Sequence, residues 1–418
     1  VTPKPTVTPA PTLTPGPISG TTFTFADNGK LLANPGVGWQ NFDSAGNSDG
    51  FPSATIYARY NWADIERVVG TYNFAPIDNT LAQLSPTQRL AFRIMTFNDD
   101  TGPVAYANAG LPGTYANYAG KSRFQPNLND TRVQAAVAKF IQALGQRYGD
   151  PSRIDSIDVG FYGPWGEWSE TNVFAAPIPT LATCQWLIQT MKAAFPSVPV
   201  IANAFHLQIN GALPAAFAAG MGWRGDSWGD HPRTGYSWTN QGQLYDPVIA
   251  MKPEQWKVAP IYMEPYFVIS EWSRYGIDWN TVADWTIRNH IAAIHGKYDT
   301  LTTTQKSQIS SLLLKIGYRP LISKVVVSGA TMTVTIRNNG NTPCYSDRFL
   351  RLVVDGVVVD TAINLKGLLP GQSEFTLTND KLNNAASVSI GFVNTRGIAD
   401  VQLAQDGTVN NLINLQLK

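Results

Sequence analysis

Between Thr21 and about Tyr318, short apolar runs alternate with stretches of helical spacing, and this alternation constrains the fold more than any other feature of the 418-residue chain. Eight runs occur: GVGWQNF (36–42), TIYARYNW (55–62), RLAFRIMTF (89–97), IDSIDVGFYG (154–163), VPVIANAF (198–205), WRGDSWGD (223–230), APIYMEPYF (259–267) and a weaker one around HIAAIHG (290–296). Helices are expected between them, notably Asp130 to Tyr148, with Val133, Val137, Phe140, Ile141 and Leu144 on one face, and Thr180 to Phe195, with Leu187, Ile188 and Met191. Thr302 to Ile316 opens on threonines able to cap it and stops at Gly317. Strand and helix in alternation predict a parallel sheet. No glycine-rich phosphate turn follows the first strand, so a closed (β/α)8 TIM barrel over residues 20–318 is expected, not an open doubly wound sheet.

From Pro320 the pattern changes to simple alternation (ISKVVVSG, TMTVTIRNNG, FLRLVVDGVVVDTAI, SEFTLTN, ASVSIGFV), broken by Asn-Gly, Asp-Gly and Pro-Gly turns. A C-terminal all-β sandwich over 319–418 is expected. All 12 tryptophans precede Tyr318, so the sandwich reads as a structural domain packed on the barrel. Residues 1–19, beginning VTPKPTVTPAPTLTPGPI, have no periodic apolar face and read as a semi-rigid linker of ~3.1 Å per residue. Such Thr/Pro spacers resemble those joining modules of secreted bacterial polysaccharide-degrading enzymes. That resemblance implies an extracellular protein with another module ahead of the linker.

Thirty-one lysines and arginines balance 30 acids, which excludes bulk attraction to nucleic acid or an anionic membrane. Charged residues form 15% of the chain and aromatic ones 11%, against ~25% charged in an average soluble domain. A surface of neutral polar groups suits neutral ligands such as sugars. The two cysteines, Cys184 and Cys344, build no disulfide framework, and no apolar run reaches the ~18 residues of a membrane span. A monomer is expected.

In a barrel of this kind, chemistry belongs at the C-terminal ends of the strands. Strand four runs into GFYGPWGEWSE, placing Glu167 just past the strand, and strand seven, PIYMEP, ends at Glu264. Strands four and seven stand ~135° apart around an eight-membered ring, so the two carboxylates can face each other over the mouth. Cleavage of a glycosidic bond needs two such groups in different environments, one to protonate the leaving oxygen and one to attack or to activate water. Trp165 and Trp168 would desolvate Glu167 and raise its pKa, while a hydroxyl from Tyr262 or Tyr266 would favour an ionised Glu264. Trp39, Trp165, Trp168, Trp228 and Trp272 fall at strand ends or loops where an indole can stack on a pyranose. Arg93, Asn98, Asn203, His206, Asp226, Asp230, His231 and Tyr262 complete the candidate sugar contacts. DSWGDH (226–231) holds two carboxylates and an imidazole, but no H-E-x-x-H or comparable spacing accompanies it. No metal and no cofactor are expected. Glu66 reads as structural, paired with an arginine.

RYNWADIERVVGTYNFAPID (59–78) resembles the second-strand segment W-x-x-I-E-x-x-x-G-x-Y-x-F of family 42 and family 35 glycoside hydrolases. Those families belong to a clan of retaining barrel enzymes, and the resemblance implies Glu167 as acid/base and Glu264 as nucleophile. The clan usually carries asparagine before the acid/base glutamate, to hold the sugar 2-hydroxyl, whereas Gly166 stands here; Asn203 could supply that bond. GPWGEW (163–168) is also similar to the G-P-x-G-E segment of the inverting β-amylases. The expected activity is hydrolysis of β-linked neutral polysaccharide, of plant cell-wall glucan or xylan type. An inverting reaction with the same pair, and a non-catalytic carbohydrate-binding or cell-surface barrel, are the alternatives.

Overall fold

Eight parallel strands close into a barrel in chain order: β1 (Gly38–Phe42), β2 (Thr55–Asn61), β3 (Arg89–Met95), β4 (Ile154–Asp158), β5 (Val200–Asn203), β6 (Gly222–Trp228), β7 (Ile261–Pro265) and β8 (Ala293–Gly296). Each expected apolar run is one of them. The structure, a computed structural model, describes residues 20–42, 50–96, 110–118, 121–168, 177–204, 211–229, 245–266 and 268–418; the Thr/Pro segment lies outside these. The helices form where their periodicity placed them. Asp130 caps Thr131–Tyr148 by accepting from the Arg132 amide, Thr180 caps Leu181–Ala194, and Thr302 with Gln305 forms a capping box on Thr303–Leu313.

The register decides what fills the barrel. Arg59 pairs with Arg93 and Arg93 with Asp158; Asn203 pairs with Arg224 and Arg224 with Tyr262. Side chains alternate faces along a strand, so Tyr57, Arg59, Arg93, Asp158, Arg224, Tyr262, Glu264 and His295 all enter the interior. The apolar partners Ile56, Phe92, Ile94, Ile157, Val200, Trp223, Met263 and Ile294 turn outward under the helices. The interior is thus a charged core where most barrels of this type carry branched aliphatic layers.

Two antiparallel sheets follow: β9 (Pro320–Ser328), β10 (Thr331–Asn338) and β13 (Gly371–Thr378) in one, and β11 (Phe349–Val354), β12 (Val357–Asn364), β14 (Ser387–Val393) and β15 (Leu412–Gln416) in the other. Asp355 and Gly356, both at positive φ, make the tight turn between β11 and β12. Thr21–Thr24 is an edge strand on β9, with Thr21 opposite Val327. The chain therefore enters through the sandwich, where the alternation reading starts the barrel at residue 20. A four-residue strand reveals its partner only through tertiary pairing.

The sandwich covers the barrel floor. Val37, Ile201, Tyr262, Ala292 and Ala293 share one apolar cluster with Ile322, Val325, Leu350 and Ile390. Asp400 of the sandwich is buried between Arg89 of β3 and Arg348. The Tyr345 hydroxyl donates to the Trp256 carbonyl at 2.6 Å.

Candidate active site

Past β4 the chain makes a tight turn, Gly160–Trp168, in which Phe161, Gly163, Trp165, Gly166 and Trp168 all have positive φ. Polar side chains from neighbouring segments hold it. Thr96 and Gln125 donate to the Phe161 carbonyl at 2.7 and 3.1 Å, and Gln125 accepts from the Gly163 amide. The Trp168 indole N–H points back to the Val159 and Gly160 carbonyls. This turn carries Glu167 over the mouth. A Cβ on Gly166, at φ 68°, would stand 3.2 Å from Arg93 Cδ and from the Ile94 carbonyl oxygen. A side chain at Gly166 would therefore need Arg93 or the Ile94 carbonyl to give by a few tenths of an ångström, at a left-handed residue that glycine adopts without strain.

Glu264, at the end of β7 and 2% exposed, meets Glu167 across one guanidinium. Arg59 Nη2 lies 3.1 Å from Glu167 Oε1 and 2.6 Å from Glu264 Oε2. Those two oxygens are separated by no more than the two lengths together, about 5.7 Å. Arg93 Nη1 is 3.5 Å from Glu167 Oε1, and Lys297 Nζ is 3.3 Å from Glu264 Oε1.

The two acids sit in different electrostatic surroundings. Burial raises the Glu167 carboxyl to about 7 against the pull of Arg59, with the negative charges of Asp226 and Glu264 adding to the rise. Burial also opposes charge on Glu264, but Arg59, the His295 contact and Lys297 outweigh it and hold that carboxyl well below its ordinary value. Near neutrality one acid can donate a proton and the other is an anion.

Beneath them lies a network from five strands. Asp158 accepts from the Tyr57 hydroxyl at 2.9 Å, from Arg93 Nη2 at 2.9 Å and from Arg224 Nε at 2.8 Å. Arg224 contacts His295 Nε2, and His295 Nδ1 is 3.5 Å from Glu264 Oε2. Sequence reasoning missed Tyr57, Arg59, Asp158, Arg224, His295 and Lys297. For Arg59, Asp158 and Arg224 the signal was a charged residue inside an otherwise apolar, buried strand, since such a residue needs a buried counter-charge.

Of the expected contacts, Arg93, Asn203, Asp226 and Trp165 gather with the two glutamates. Asn203 Nδ2 donates to Asp226 Oδ2 at 3.0 Å, and Trp165 is exposed beside the acid. Trp39, Trp168, Trp228 and Trp272 are buried packing residues instead. Trp39 packs on Phe51 and Tyr298, and Trp228 lies edge-on to Trp272 with its N–H on Thr286. A strand-end position did not expose them, because the outward half of each strand end is roofed by helices and loops. Tyr262 lies low in the barrel, donating to Asp155 at 3.3 Å, so the charge on Glu264 owes nothing to it. Glu66 is buried and accepts from the Trp62 indole N–H and the Gly70 amide. Asn98, His206, Asp230 and His231 lie outside the described residues. Among the described residues no group of three or more His, Cys, Asp or Glu could hold a metal, and no helix is long and apolar enough to cross a membrane.

No protein-family profile matches the chain, and no curated protein matches it. Among solved structures it is similar to endo-glycoceramidase II from Rhodococcus sp., at 13% identity over 85% of this chain and 99% of that one, with a TM-score of 0.43. It is similar to a family 39 glycoside hydrolase from Bacteroides cellulosilyticus WH2, at 12% identity over 83% and 81%, TM-score 0.42. A Pseudomonas stutzeri endoglucanase gives 10% identity over 70% and 97%, TM-score 0.40. None of these three is described as a family 42 or 35 enzyme, so that finer likeness rests on the 59–78 motif alone. Likeness at this level carries no weight for activity or substrate.

Proposed function

We propose that the chain is a glycoside hydrolase acting on β-linked neutral polysaccharide with retention of configuration, Glu264 as nucleophile and Glu167 as acid/base. The carrying observation is the pair itself: two carboxyl groups on one guanidinium nitrogen, their facing oxygens at most about 5.7 Å apart, one proton-bearing to about pH 7 and one ionised. Retaining pairs stand ~5–5.5 Å apart and inverting pairs ~6.5–9.5 Å. The close approach of one oxygen from each carboxyl group to a single nitrogen supports the retaining reading.

A Glu264 oxygen attacks the anomeric carbon as the glycosidic C–O bond breaks, and the leaving oxygen takes the Glu167 proton. Glu167, now a carboxylate, removes a proton from water, which attacks the same carbon and releases Glu264. Asn203 Oδ1, buried and without a hydrogen-bond partner among the described residues, can accept from a sugar hydroxyl, the role Gly166 cannot fill. The scarcity of charge, the exposed Trp165 and the Thr/Pro spacer support a neutral polymer of plant cell-wall glucan or xylan type, and secretion.

The test compares wild type with Glu264→Gln and Glu167→Ala on cell-wall glucans, xylans and aryl glycosides. Both variants should lose turnover of natural glycans by ~10²–10⁴-fold. Glu167→Ala should keep cleavage of aryl glycosides with good leaving groups and be rescued by azide as the retained glycosyl azide. An inverted first product, or full turnover in either variant, refutes the assignment.

A further inference from the structure

His295 is fully buried on β8, and its Nε2 faces Nη1 of Arg224. A guanidinium has only donors and stays charged. The ring nitrogen facing it must therefore present a lone pair, which leaves the proton on Nδ1, the nitrogen 3.5 Å from Glu264 Oε2. We propose that His295 is a positioning residue for Glu264, locked by Arg224 as the neutral Nδ1–H tautomer whose N–H lies on the carboxylate side of the ring. At 3.5 Å the contact is not a formed hydrogen bond, and Nδ1 is buried with no hydrogen-bond partner among the described residues; catalytic hydrogen bonds are often long or poorly aligned before substrate binds and tighten only in the complex.

The ring cannot easily turn out of this arrangement. Tyr57 lies against it with centroids 4.2 Å apart, and Phe42 stands at 5.4 Å. Arg224 cannot swivel either, because Asp158 holds it through Nε at 2.8 Å and Nη2 at 3.2 Å. The other tautomer would set N–H against N–H at Arg224 and a lone pair against the carboxylate. The charged and titratable groups around the ring are Arg224 from β6, Asp158 from β4, Glu264 from β7 and Tyr57 from β2. Burial, followed by the Arg224 charge, brings the imidazole pKa down to about 3, so the ring is neutral wherever the protein would work.

Neutrality matters for the chemistry. Glu264 already faces Arg59 and Lys297, and a third cation would lower its basicity and slow attack. A neutral N–H orients the carboxylate without adding charge.

The experiment is nitrogen NMR of the full chain carrying ¹⁵N-histidine, with the His295 signals assigned by their loss in His295→Gln. The expected result is a neutral, Nδ1-protonated pattern that does not titrate between about pH 5 and 8. Titration near the ordinary value of ~6.5, or an Nε2-protonated pattern, overturns the proposal. The kinetic arm rests on Glu264 being the nucleophile. His295→Leu, which has no donor, should lower kcat by roughly 10–100-fold with KM little changed and move the acid limb of the pH profile upward. His295→Gln, which can accept from Arg224 and donate to Glu264, should restore part of kcat. Loss confined to KM, or an unmoved acid limb in a folded His295→Leu, counts against the proposal. A wild-type protein inactive on every glycan would sink the hydrolase reading and leave the NMR result to decide the tautomer.

Discussion

Trp165 is 43% exposed and holds φ at 54°, a conformation that costs a non-glycine residue ~1–3 kcal/mol. The proposed role of this half-exposed indole is to stack on a sugar ring beside Glu167. Trp165→Ala should lower kcat/KM on oligosaccharides about 10-fold, the loss of one stacking contact of ~1.4 kcal/mol, with unchanged circular dichroism. A variant with full kcat/KM would remove Trp165 from the site. At the same scale, the Glu167 carboxyl raised to about 7 predicts the alkaline limb of activity. Activity should fall as pH rises through about 7, because the acid form is the proton donor, and the acid limb should lie below the ordinary carboxylate range because Glu264 stays charged there. The stability consequence has its own sign. Glu167 titrates higher folded than unfolded, so its contribution is complete below the unfolded value and is lost as pH rises through about 7. Glu167→Gln should therefore gain thermal stability relative to wild type at pH 8 and not at pH 4, checked by paired melts.

At the scale of the element, the turn 160–168 carries Glu167 from a strand end over the mouth of the barrel. Gly166→Asn, which would supply the asparagine usual in the clan that the 59–78 motif resembles, should lower activity. The new Cβ meets Arg93 and the Ile94 carbonyl at 3.2 Å in a left-handed residue, and moving Arg93 disturbs the contact with Glu167. Activity should drop at least ~10-fold and the melting point should fall; a gain in activity would show that the turn yields. The positions of Glu167 and Glu264 were legible because one follows a recognisable strand and the other lies at the end of one. The role of Gly166 was not legible, since it depends on where Arg93 of β3 lies. Trp228 and Trp272 were misread for the same kind of reason: a sequence gives the position along a strand end, while exposure depends on what packs above it.

At the scale of the whole molecule, barrel and sandwich are joined by buried charge as well as apolar area. Asp400 Oδ1 lies 2.8 Å from Arg348 Nε in an ion pair, and Asp400 also contacts Arg89 Nη2, with all three side chains nearly inaccessible. Removing one partner of such a group leaves uncompensated buried charge and costs ~3–5 kcal/mol. Asp400→Ala should lower the urea midpoint by a corresponding amount, and an unchanged midpoint would show that the triad does not join the two parts. Because Arg89 begins β3, which also carries Arg93, the variant should also reduce activity in native buffer.

The alternation of apolar runs with helical stretches was enough by itself to specify eight barrel strands, a following sandwich and two glutamates at strand ends, because period and turn chemistry are local properties of the chain. Only the tertiary structure decided that Arg59 joins those glutamates, that Asp158, Arg224 and His295 lie beneath them, and that most strand-end tryptophans are buried. Those outcomes depend on strand register around a closed ring, which brings residues 205 positions apart, Arg59 and Glu264, into contact.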